Sequence, residues 1–202
     1  MSTEYKDVRQ HILDTGMAII SGKGYAAVGL NEILTSANVP KGSFYHYFKS
    51  KEAFGEALLD YYVTSYLAHL DEVLRPDGTP AARRLMAYWS RWRDTQSDCC
   101  PDGKCLVVKL AGEVSDMSEA MRLALLRGTT LICERLAASI VEGVADGSLP
   151  GPYDAPHTAV TLYQMWLGAS LLTKIRRDRN ALEAAMLATA AMLKLPADTI
   201  HA

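Results

Sequence analysis

The sequence predicts an all-α protein of about nine helices, in which a small three-helix head precedes a larger helical regulatory body. Apolar residues recur with the 3.6-residue period of a helix along most of the 202-residue chain, and no stretch sustains the alternation typical of a strand. Clusters of glycine and proline separate these stretches. Apolar residues make up 49% of the chain, which is enough for a sizeable core. We expect the head to cover residues 1–52 and the body residues 53–202.

The head is predicted to contain a helix-turn-helix. A first helix ends at the Gly22-Lys23-Gly24 segment, and two short helices follow, separated by a turn over Ser36–Val39. Pro40 then favours the start of the third helix. Two short helices joined by such a turn commonly place the second helix in the major groove of DNA. The expected bounds of the three helices are about 6–21, 30–36 and 41–47.

Six further helices are predicted in the body, with Gly- and Pro-containing breaks over residues 75–80 and 147–156. The last two helices are amphipathic, and Gly168 and Ala169 allow close approach of a packed backbone. Two such helices from each of two chains suit a four-helix bundle, so we expect a homodimer. The expected bounds of the six helices are about 51–74, 80–97, 105–114, 118–146, 155–177 and 180–193.

Charge is distributed unevenly between the two ends of the chain. Residues 1–51 hold six Lys and Arg against four Asp and Glu, a net +2, whereas the remainder holds fifteen against nineteen, a net −4. A basic head on an acidic body fits nucleic-acid binding by the head alone. No apolar run approaches the ~20 residues of a membrane span, and Met1–Gln10 is too polar for a signal peptide. We therefore expect a cytoplasmic protein that does not contact a membrane.

The third helix carries the candidate DNA-reading residues. Phe44 and Phe48 are four residues apart and are predicted to turn into the core of the head with Val39. Their neighbours then face outward, where polar groups can donate to base edges or phosphates. Lys51, at the start of the fourth helix, combines a cation with backbone amides that suit a phosphate. The other candidates are Lys41, Gly42, Ser43, Tyr45, His46 and Tyr47.

This segment resembles a known family. The stretch Val39–Phe54, which reads VPKGSFYHYFKSKEAF, is similar to the recognition segment of the TetR family of repressors, and Gly24-Tyr25 and Leu30–Leu34 are similar to the residues that precede it there. The resemblance implies a homodimer with two recognition helices in successive major grooves of a roughly palindromic operator. It implies base contacts for Lys41, Ser43, Tyr45 and His46, and phosphate contacts for Tyr47 and Lys51.

Cys105 is the candidate reactive residue of the body. It is predicted to open the sixth helix directly after Lys104, and both a helix N-terminus and a nearby cation favour the thiolate. The thiolate is the form that attacks electrophiles and oxidants. The alternative is a small buried apolar residue, as most reduced cysteines are. Cys133, next to Ile132 in an apolar helix, is predicted to be a core residue.

The body also resembles one branch of the TetR family. The stretches Gly103–Arg122 and Leu162–Arg176 are similar to repressors of N-ethylmaleimide reductase. This implies release by electrophiles or hypochlorite-type oxidants, including quinones and aldehydes, that modify Cys105, with a reversible S–N link to Lys174. Acrylate-responsive repressors share the Pro40–Phe48 stretch, so reversible induction by a small ligand such as acrylate is an alternative. The aromatic residues that could line a ligand pocket are Tyr62, Trp89, Trp92, Tyr163 and Trp166.

Other uses of the cysteines have weaker support. Cys99 and Cys100 leave open a disulfide with Cys105 in place of the link to lysine. The three cysteines lack the Cys-x2-Cys spacing of zinc sites and no histidine lies near them in sequence, so we expect no metal and no cofactor. The five histidines are scattered, and no Cys/His or Ser/His/Asp grouping supports a thiol enzyme that detoxifies electrophiles. We therefore expect no catalytic residues.

Overall fold

The computed structural model describes residues 2–96 and 105–196, and within them the chain forms nine α-helices and no strand. The all-α prediction is therefore confirmed. Within the described residues, no helix is both long enough and apolar enough to cross a membrane. In chain order the helices are α1 (Ser2–Lys23), α2 (Leu30–Ala37), α3 (Lys41–Tyr47), α4 (Lys51–Val73), α5 (Ala81–Thr95), α6 (Leu106–Met117), α7 (Glu119–Ala145), α8 (Ala155–Arg176) and α9 (Asn180–Met192).

The observed bounds differ from the predicted ones mainly at α1 and α6. Helix α1 begins four residues earlier than expected, and α6 continues three residues further, to Met117. Helix α6 ends there because Ser118 caps the next helix: its hydroxyl oxygen accepts the N–H of Met121 at 3.3 Å. Gly112 lies at an exposed position within α6 although glycine has a low helix propensity.

The contacts within the chain divide it into two compact units. Unit 1 comprises Met1–Ser65 and Lys109–Gly128, and unit 2 comprises Tyr66–Val108 and Thr129–Ala202. Helices α4, α6 and α7 each contribute residues to both units. The division predicted near residue 52 cuts the chain once, and it stays a prediction. The contacts within the chain place most of α6 in the same unit as the head.

Three phenylalanine rings form the core of the head. The ring centroids of Phe44, Phe48 and Phe54 are 5.2 to 5.6 Å apart. Phe44 and Phe54 are fully buried, and Phe48 is nearly so. Gly16 of α1 lies directly against the Phe54 ring, where any side chain would collide with it. The predicted inward orientation of Phe44 and Phe48 is confirmed, and it fixes which side of α3 faces outward.

The turn between α2 and α3 is fixed by local chemistry. Asn38 ends α2 in the left-handed conformation, with φ 51° and ψ 45°, and its N–H donates to the Leu34 carbonyl. Asparagine adopts this conformation more readily than most residues. Pro40 then takes an extended conformation directly before α3. The His11 ring of α1 is hydrogen-bonded to the Ala37 carbonyl at 2.9 Å, so α1 supports the end of α2.

Unit 2 is built around stacked tryptophans. The rings of Trp89 and Trp166 are 5.0 Å apart and nearly parallel, and both side chains are fully buried. The Trp166 indole N–H donates to the Thr189 hydroxyl at 2.9 Å, and the Trp92 N–H donates to the Ser170 hydroxyl at 2.9 Å. These contacts join α5, α8 and α9 into one apolar core.

Candidate DNA-binding helix and sensor cysteine

Helix α3 presents the predicted DNA-reading residues on its outer side, opposite the buried Phe44. Tyr45 is 46% exposed, although its type is usually more buried. The Lys41 ammonium lies 5.8 Å from the centroid of the Tyr45 ring, so a cation and an aromatic hydroxyl occupy adjacent turns. The exposed members of the predicted set are Lys41, Gly42, Tyr45 and His46, and the half-buried members are Ser43 and Tyr47.

Gly42 has no steric reason within the protein to be glycine. A Cβ added there would meet no atom within 4 Å. A glycine inside a helix costs roughly 1 kcal/mol relative to alanine. The surface of α3 at Gly42 is therefore accessible to an external partner. A substitution of Gly42 can be tested without disturbing the core of the head.

Lys51, the predicted phosphate contact at the start of α4, is engaged within unit 1. Its ammonium donates to the Tyr25 carbonyl at 3.0 Å and lies 4.5 Å from the centroid of the Tyr25 ring. The Tyr25 hydroxyl donates in return to the Lys51 carbonyl at 2.7 Å. Burial lowers the pKa of Lys51, and the nearby Glu113 carboxylate acts in the opposite direction. A phosphate contact by Lys51 stays a prediction, while its observed contacts hold the loop after α1.

Glu113 of α6, which sequence reasoning missed, organises the same loop. Its carboxylate accepts the N–H of Tyr25 at 3.2 Å and the N–H of Ala26 at 2.5 Å. Lys109, one turn earlier on α6, donates to the Gly22 carbonyl at 2.9 Å. Burial, followed by the charges of Glu52 and Glu113, raises the pKa of Tyr25 to about 12. The available signal in the sequence was an acid surrounded by apolar residues on α6, but its partners lie 87 and 88 residues away.

Cys105 directly precedes α6, close to the predicted position, and is 7% exposed. Its backbone N–H donates to the Gln96 side-chain oxygen at 3.1 Å. The Gln96 N–H donates in turn to the Trp92 carbonyl at 3.0 Å. Gln96, which directly follows α5, therefore fixes the backbone of Cys105, which directly precedes α6.

Three tyrosines interact electrostatically with Cys105, namely the buried Tyr88 and Tyr163 and the half-buried Tyr66, and sequence reasoning had assigned none of them to it. The hydroxyls of Tyr66 and Tyr88 are hydrogen-bonded at 2.6 Å. Tyr163 packs edge-on against Trp92, with ring centroids 5.8 Å apart. Burial raises the pKa of all three tyrosines, and a charge on Cys105 raises each further. The hydroxyls therefore stay protonated near neutral pH and can act as hydrogen-bond donors.

Lys174, the predicted partner of Cys105, is exposed in the last turn of α8. Both residues belong to unit 2. Cys99, Cys100 and Lys104 lie outside the described residues, so the predicted disulfide alternatives and the effect of Lys104 on the Cys105 thiolate stay predictions. Within the described part of the chain, no group of three or more His, Cys, Asp or Glu side chains is arranged to hold a metal ion.

A cavity of about 540 Å³ lies between α7 and α8 in unit 2. Cys133 lines it and is half-buried, so the prediction that Cys133 is a core residue is wrong. The reason is its position on the helix, because the buried stripe of α7 passes through Ile132 and Leu136 and leaves Cys133 at its edge. Burial nevertheless raises the pKa of the Cys133 thiol.

The five aromatic residues predicted to line a ligand pocket are not gathered around this cavity. Tyr163 lines it. Trp89, Trp92 and Trp166 pack against one another in the core of unit 2, with ring centroids 5.0 to 6.2 Å apart. Tyr62 is half-buried on α4 in unit 1. A pocket formed by all five residues stays a prediction.

Two family models match most of this chain. The model described as "Bacterial regulatory proteins, tetR family" matches residues 12–58, and the model described as "Tetracyclin repressor-like, C-terminal domain" matches residues 81–189. The chain belongs to the TetR family. Its helix-turn-helix is accordingly the DNA-binding part, and TetR-family repressors typically bind DNA as dimers.

Curated relatives that cover most of the chain are transcriptional regulators. The HTH-type transcriptional repressor NemR of Escherichia coli (strain K12) is 38% identical over 194 residues, which span 95% of this chain and 96% of NemR. The HTH-type transcriptional repressor DhaR of Mycobacterium sp. (strain GP1) is 33% identical over 87% of each chain. The transcriptional regulator AcuR of Cereibacter sphaeroides is 32% identical over 82% of this chain and 76% of AcuR. The chain is thus a TetR-family transcriptional repressor closely related to NemR.

Solved structures agree with this assignment. The crystal structure of the reduced form of E. coli NemR matches with a TM-score of 0.86 at 38% identity, over 95% of this chain and 99% of that one. A transcriptional regulator of the TetR/AcrR family matches with a TM-score of 0.82 at 41% identity, over 93% and 99% of the two chains. The predicted head and helical body are therefore those of the TetR fold.

Proposed function

We propose that this protein represses transcription as a dimer on a palindromic operator and leaves the operator when an electrophile or oxidant modifies Cys105. The observation that carries the proposal is the position of Cys105 directly before α6. The same helix carries Lys109 and Glu113, which hold the backbone of the loop after α1. A shift of α6 would therefore act on the loop that supports the helix-turn-helix. Release requires that modification favour the unbound conformation over the DNA-bound one.

The surroundings of Cys105 suit a reactive thiol. A buried thiolate is costly unless hydrogen bonds or charges stabilise it. Burial raises the pKa of Tyr66, Tyr88 and Tyr163, so their hydroxyls stay protonated. One proton of the Tyr66–Tyr88 pair is used in the bond between those two hydroxyls, and we propose that one of the remaining hydroxyl protons is donated to the sulfur. This arrangement supports a thiolate at Cys105 in addition to the effect of the helix N-terminus.

Lys174 supplies the second half of the proposed oxidant chemistry. Hypochlorous acid converts the Cys105 thiol to a sulfenyl chloride and releases water. The neutral Lys174 amine then attacks the sulfur, chloride leaves and the nitrogen loses a proton, which forms an S–N bond with a net loss of two hydrogens. A quinone or unsaturated aldehyde instead accepts the thiolate at carbon and then takes up a proton, so Lys174 is not required.

The proposed operator contacts follow from the outward side of α3. We assign base contacts to Lys41, Ser43, Tyr45 and His46, and phosphate contacts to Tyr47 and Lys51. Exposed apolar residues on α8 and α9 support a dimer through these helices, since they would be buried by a second copy. These residues are Leu171, Leu172 and Ile175 of α8 and Leu187 of α9.

Reversible induction by a small acid such as acrylate has less support. The cavity between α7 and α8 is lined by the Glu134 carboxylate, and its described lining contains no Lys or Arg. An anion placed there would be repelled. The cavity therefore favours an uncharged ligand over a carboxylate.

A matched pair of cysteine variants tests the proposal. Cys105→Ser and Cys133→Ser remove one thiol each, and operator binding is followed by gel shift before and after mild hypochlorite or N-ethylmaleimide. We expect wild type and Cys133→Ser to leave the operator and Cys105→Ser to stay bound. Release of Cys105→Ser at the wild-type concentration of reagent would show the proposal to be wrong. Mass spectrometry of the oxidised wild type should show a two-hydrogen loss that joins the peptides containing Cys105 and Lys174, and Lys174→Arg should abolish it.

A further inference from the structure

We infer that Glu113 of α6 is a positioning residue for DNA binding. Its carboxylate fixes the backbone of Tyr25, and Tyr25 in turn holds the Lys51 ammonium in a position from which it can bind an operator phosphate. The inference rests on the proposed function, because it deepens the phosphate contact assigned to Lys51. All of the residues that carry it belong to unit 1.

Helix α6 holds the loop after α1 with two side chains of opposite charge. The Lys109 ammonium donates to the Gly22 carbonyl at 2.9 Å, in the last turn of α1, where the helix dipole favours a cation. One turn later on α6, the Glu113 carboxylate accepts the N–H groups of Tyr25 and Ala26, which lie beyond the end of α1. The two side chains together therefore fix the path of this loop.

Gly24 allows the Glu113 carboxylate to approach the loop. Its φ is +92°, in the left-handed region that residues with a side chain rarely adopt. A Cβ at this position would also lie only 3.3 Å from a Glu113 oxygen. Both the turn and the close approach of the carboxylate therefore depend on the absence of a side chain at Gly24.

Tyr25 makes three contacts with Lys51, at the start of α4. The Lys51 ammonium donates to the Tyr25 carbonyl at 3.0 Å, the Tyr25 hydroxyl donates to the Lys51 carbonyl at 2.7 Å, and the Tyr25 ring centroid lies 4.5 Å from the ammonium. Tyr25 is only 4% exposed, so its side chain has little freedom to move. The backbone that Glu113 holds therefore sets the position of the Lys51 ammonium.

The contacts with Tyr25 leave Lys51 able to bind a phosphate. An ammonium has three N–H groups, and the Tyr25 carbonyl accepts one of them. Lys51 is also the first residue of α4, and the first backbone N–H groups of a helix have no partner within it and favour an anion. Burial lowers the pKa of Lys51 and the Glu113 charge acts in the opposite direction, so Glu113 also favours the charged form. An ammonium that is already held in place loses less side-chain freedom when it binds a phosphate.

The salt dependence of operator binding measures the phosphate contact of Lys51. The affinity of the full-length protein for labelled operator DNA is followed by fluorescence anisotropy between about 50 and 200 mM salt. Each phosphate contact adds about 0.9 to the slope of log affinity against log salt concentration. Lys51→Met keeps the apolar part of the side chain but removes the ammonium from both protomers. We therefore expect the slope to flatten by about 2 and the affinity in about 0.1 M salt to fall by roughly 50-fold.

A double variant tests whether Glu113 acts through Lys51. Glu113→Gln should weaken operator binding by about tenfold and flatten the slope by about 1, because the ammonium is no longer held in place. In protein that already carries Lys51→Met, the same substitution should change the affinity by less than about twofold, since the effects of coupled residues do not add. Asp116→Asn, at an exposed position of α6, is the control and should bind as the wild type does. Thermal denaturation checks that each variant is folded at the temperature of the assay.

Tyr25→Phe decides the question if Glu113→Gln does not fold. It removes only the hydroxyl that donates to the Lys51 carbonyl. We expect it to weaken operator binding by about threefold in otherwise wild-type protein and to have no effect in protein that carries Lys51→Met. An equal loss in the two proteins would contradict the inference.

The outcomes separate this inference from the proposed function. Wild-type affinity and slope in Lys51→Met would show that the proposed phosphate contact of Lys51 is wrong, and the inference would be wrong as well. The inference alone is wrong if Lys51→Met behaves as expected while folded Glu113→Gln keeps the wild-type slope. It is also wrong if Glu113→Gln weakens binding by the same factor with and without Lys51→Met, because the contacts of Glu113 would then serve only the stability of the loop.

Discussion

Helix α3 and the segment around Cys105 differ in how exposed their proposed functional groups are. On α3 the polar side chains are exposed, and the buried Phe44 holds the helix in place from behind. The proposed sensor residue Cys105 is itself only 7% exposed, and it interacts electrostatically with Tyr66, Tyr88 and Tyr163. A large rigid partner such as DNA is read from a surface, whereas a small molecule can be sensed in an interior site. The support for α3 and the burial of the body cysteines are therefore the features to test.

The strongest test of this comparison is the support beneath α3. Phe44→Ala removes a fully buried ring that contacts Phe48 and Phe54. We expect the free energy of unfolding to fall by about 3–5 kcal/mol, because transfer and cavity costs add. Urea denaturation followed by circular dichroism measures it. Tyr45→Ala, on the exposed side of the same helix, is the control and should change stability by less than about 1 kcal/mol. An equal fall in the free energy of unfolding of the two variants would mean that α3 has no distinct buried side.

The loop that supports the head is expected to depend on one carboxylate. Glu113→Gln keeps the size of the side chain but replaces one of the two oxygens that accept the N–H groups of Tyr25 and Ala26 with an NH2 group. The free energy of unfolding should fall by about 1–3 kcal/mol, since hydrogen bonds to charged groups are strong and an unpaired N–H is costly. Asp116→Asn, on an exposed position of α6, is the matched control in thermal denaturation. A smaller effect than that of Asp116→Asn would exclude this role for Glu113.

A substitution at Gly42 is expected to weaken DNA binding without lowering the stability of the protein. Gly42→Ala meets no atom of the protein and replaces a helix-breaking residue, so stability should stay constant or rise by up to about 1 kcal/mol. If the DNA approaches α3 closely at this position, operator affinity should nevertheless fall about tenfold, the order of one lost contact. Fluorescence anisotropy with labelled operator measures the affinity. Unchanged affinity would show that the space outside Gly42 stays empty in the complex.

The smallest effect concerns Cys133. Burial disfavours the Cys133 thiolate and so raises the pKa of this thiol. The labelling rate of Cys133 by iodoacetamide should therefore keep rising at a pH where unfolded protein, with a cysteine pKa of about 8.5, has reached a plateau. Labelling of the folded and urea-unfolded protein between pH 7 and 10 provides the comparison. Coincident profiles would show that burial does not raise the pKa of the Cys133 thiol.

The sequence by itself determined the helices, the inner and outer sides of α3 and the family. These features are local, because a 3.6-residue period, the Asn38 turn and Pro40 act over a few neighbouring residues. The position of Cys105 at the start of α6 was predictable for the same reason. The long TetR-like segment then indicated DNA binding, which the net charge of −2 does not.

Only the tertiary structure decided which distant side chains meet. Glu113 binds a loop 88 residues earlier, and Tyr66 and Tyr88 meet near Cys105 from two different helices. Cys133 was predicted to be core because its neighbours in sequence are apolar, but the packing of α7 against α8 leaves it beside a cavity. Helical periodicity shows which residues share a side of one helix, whereas contacts between helices depend on how the complete chain packs.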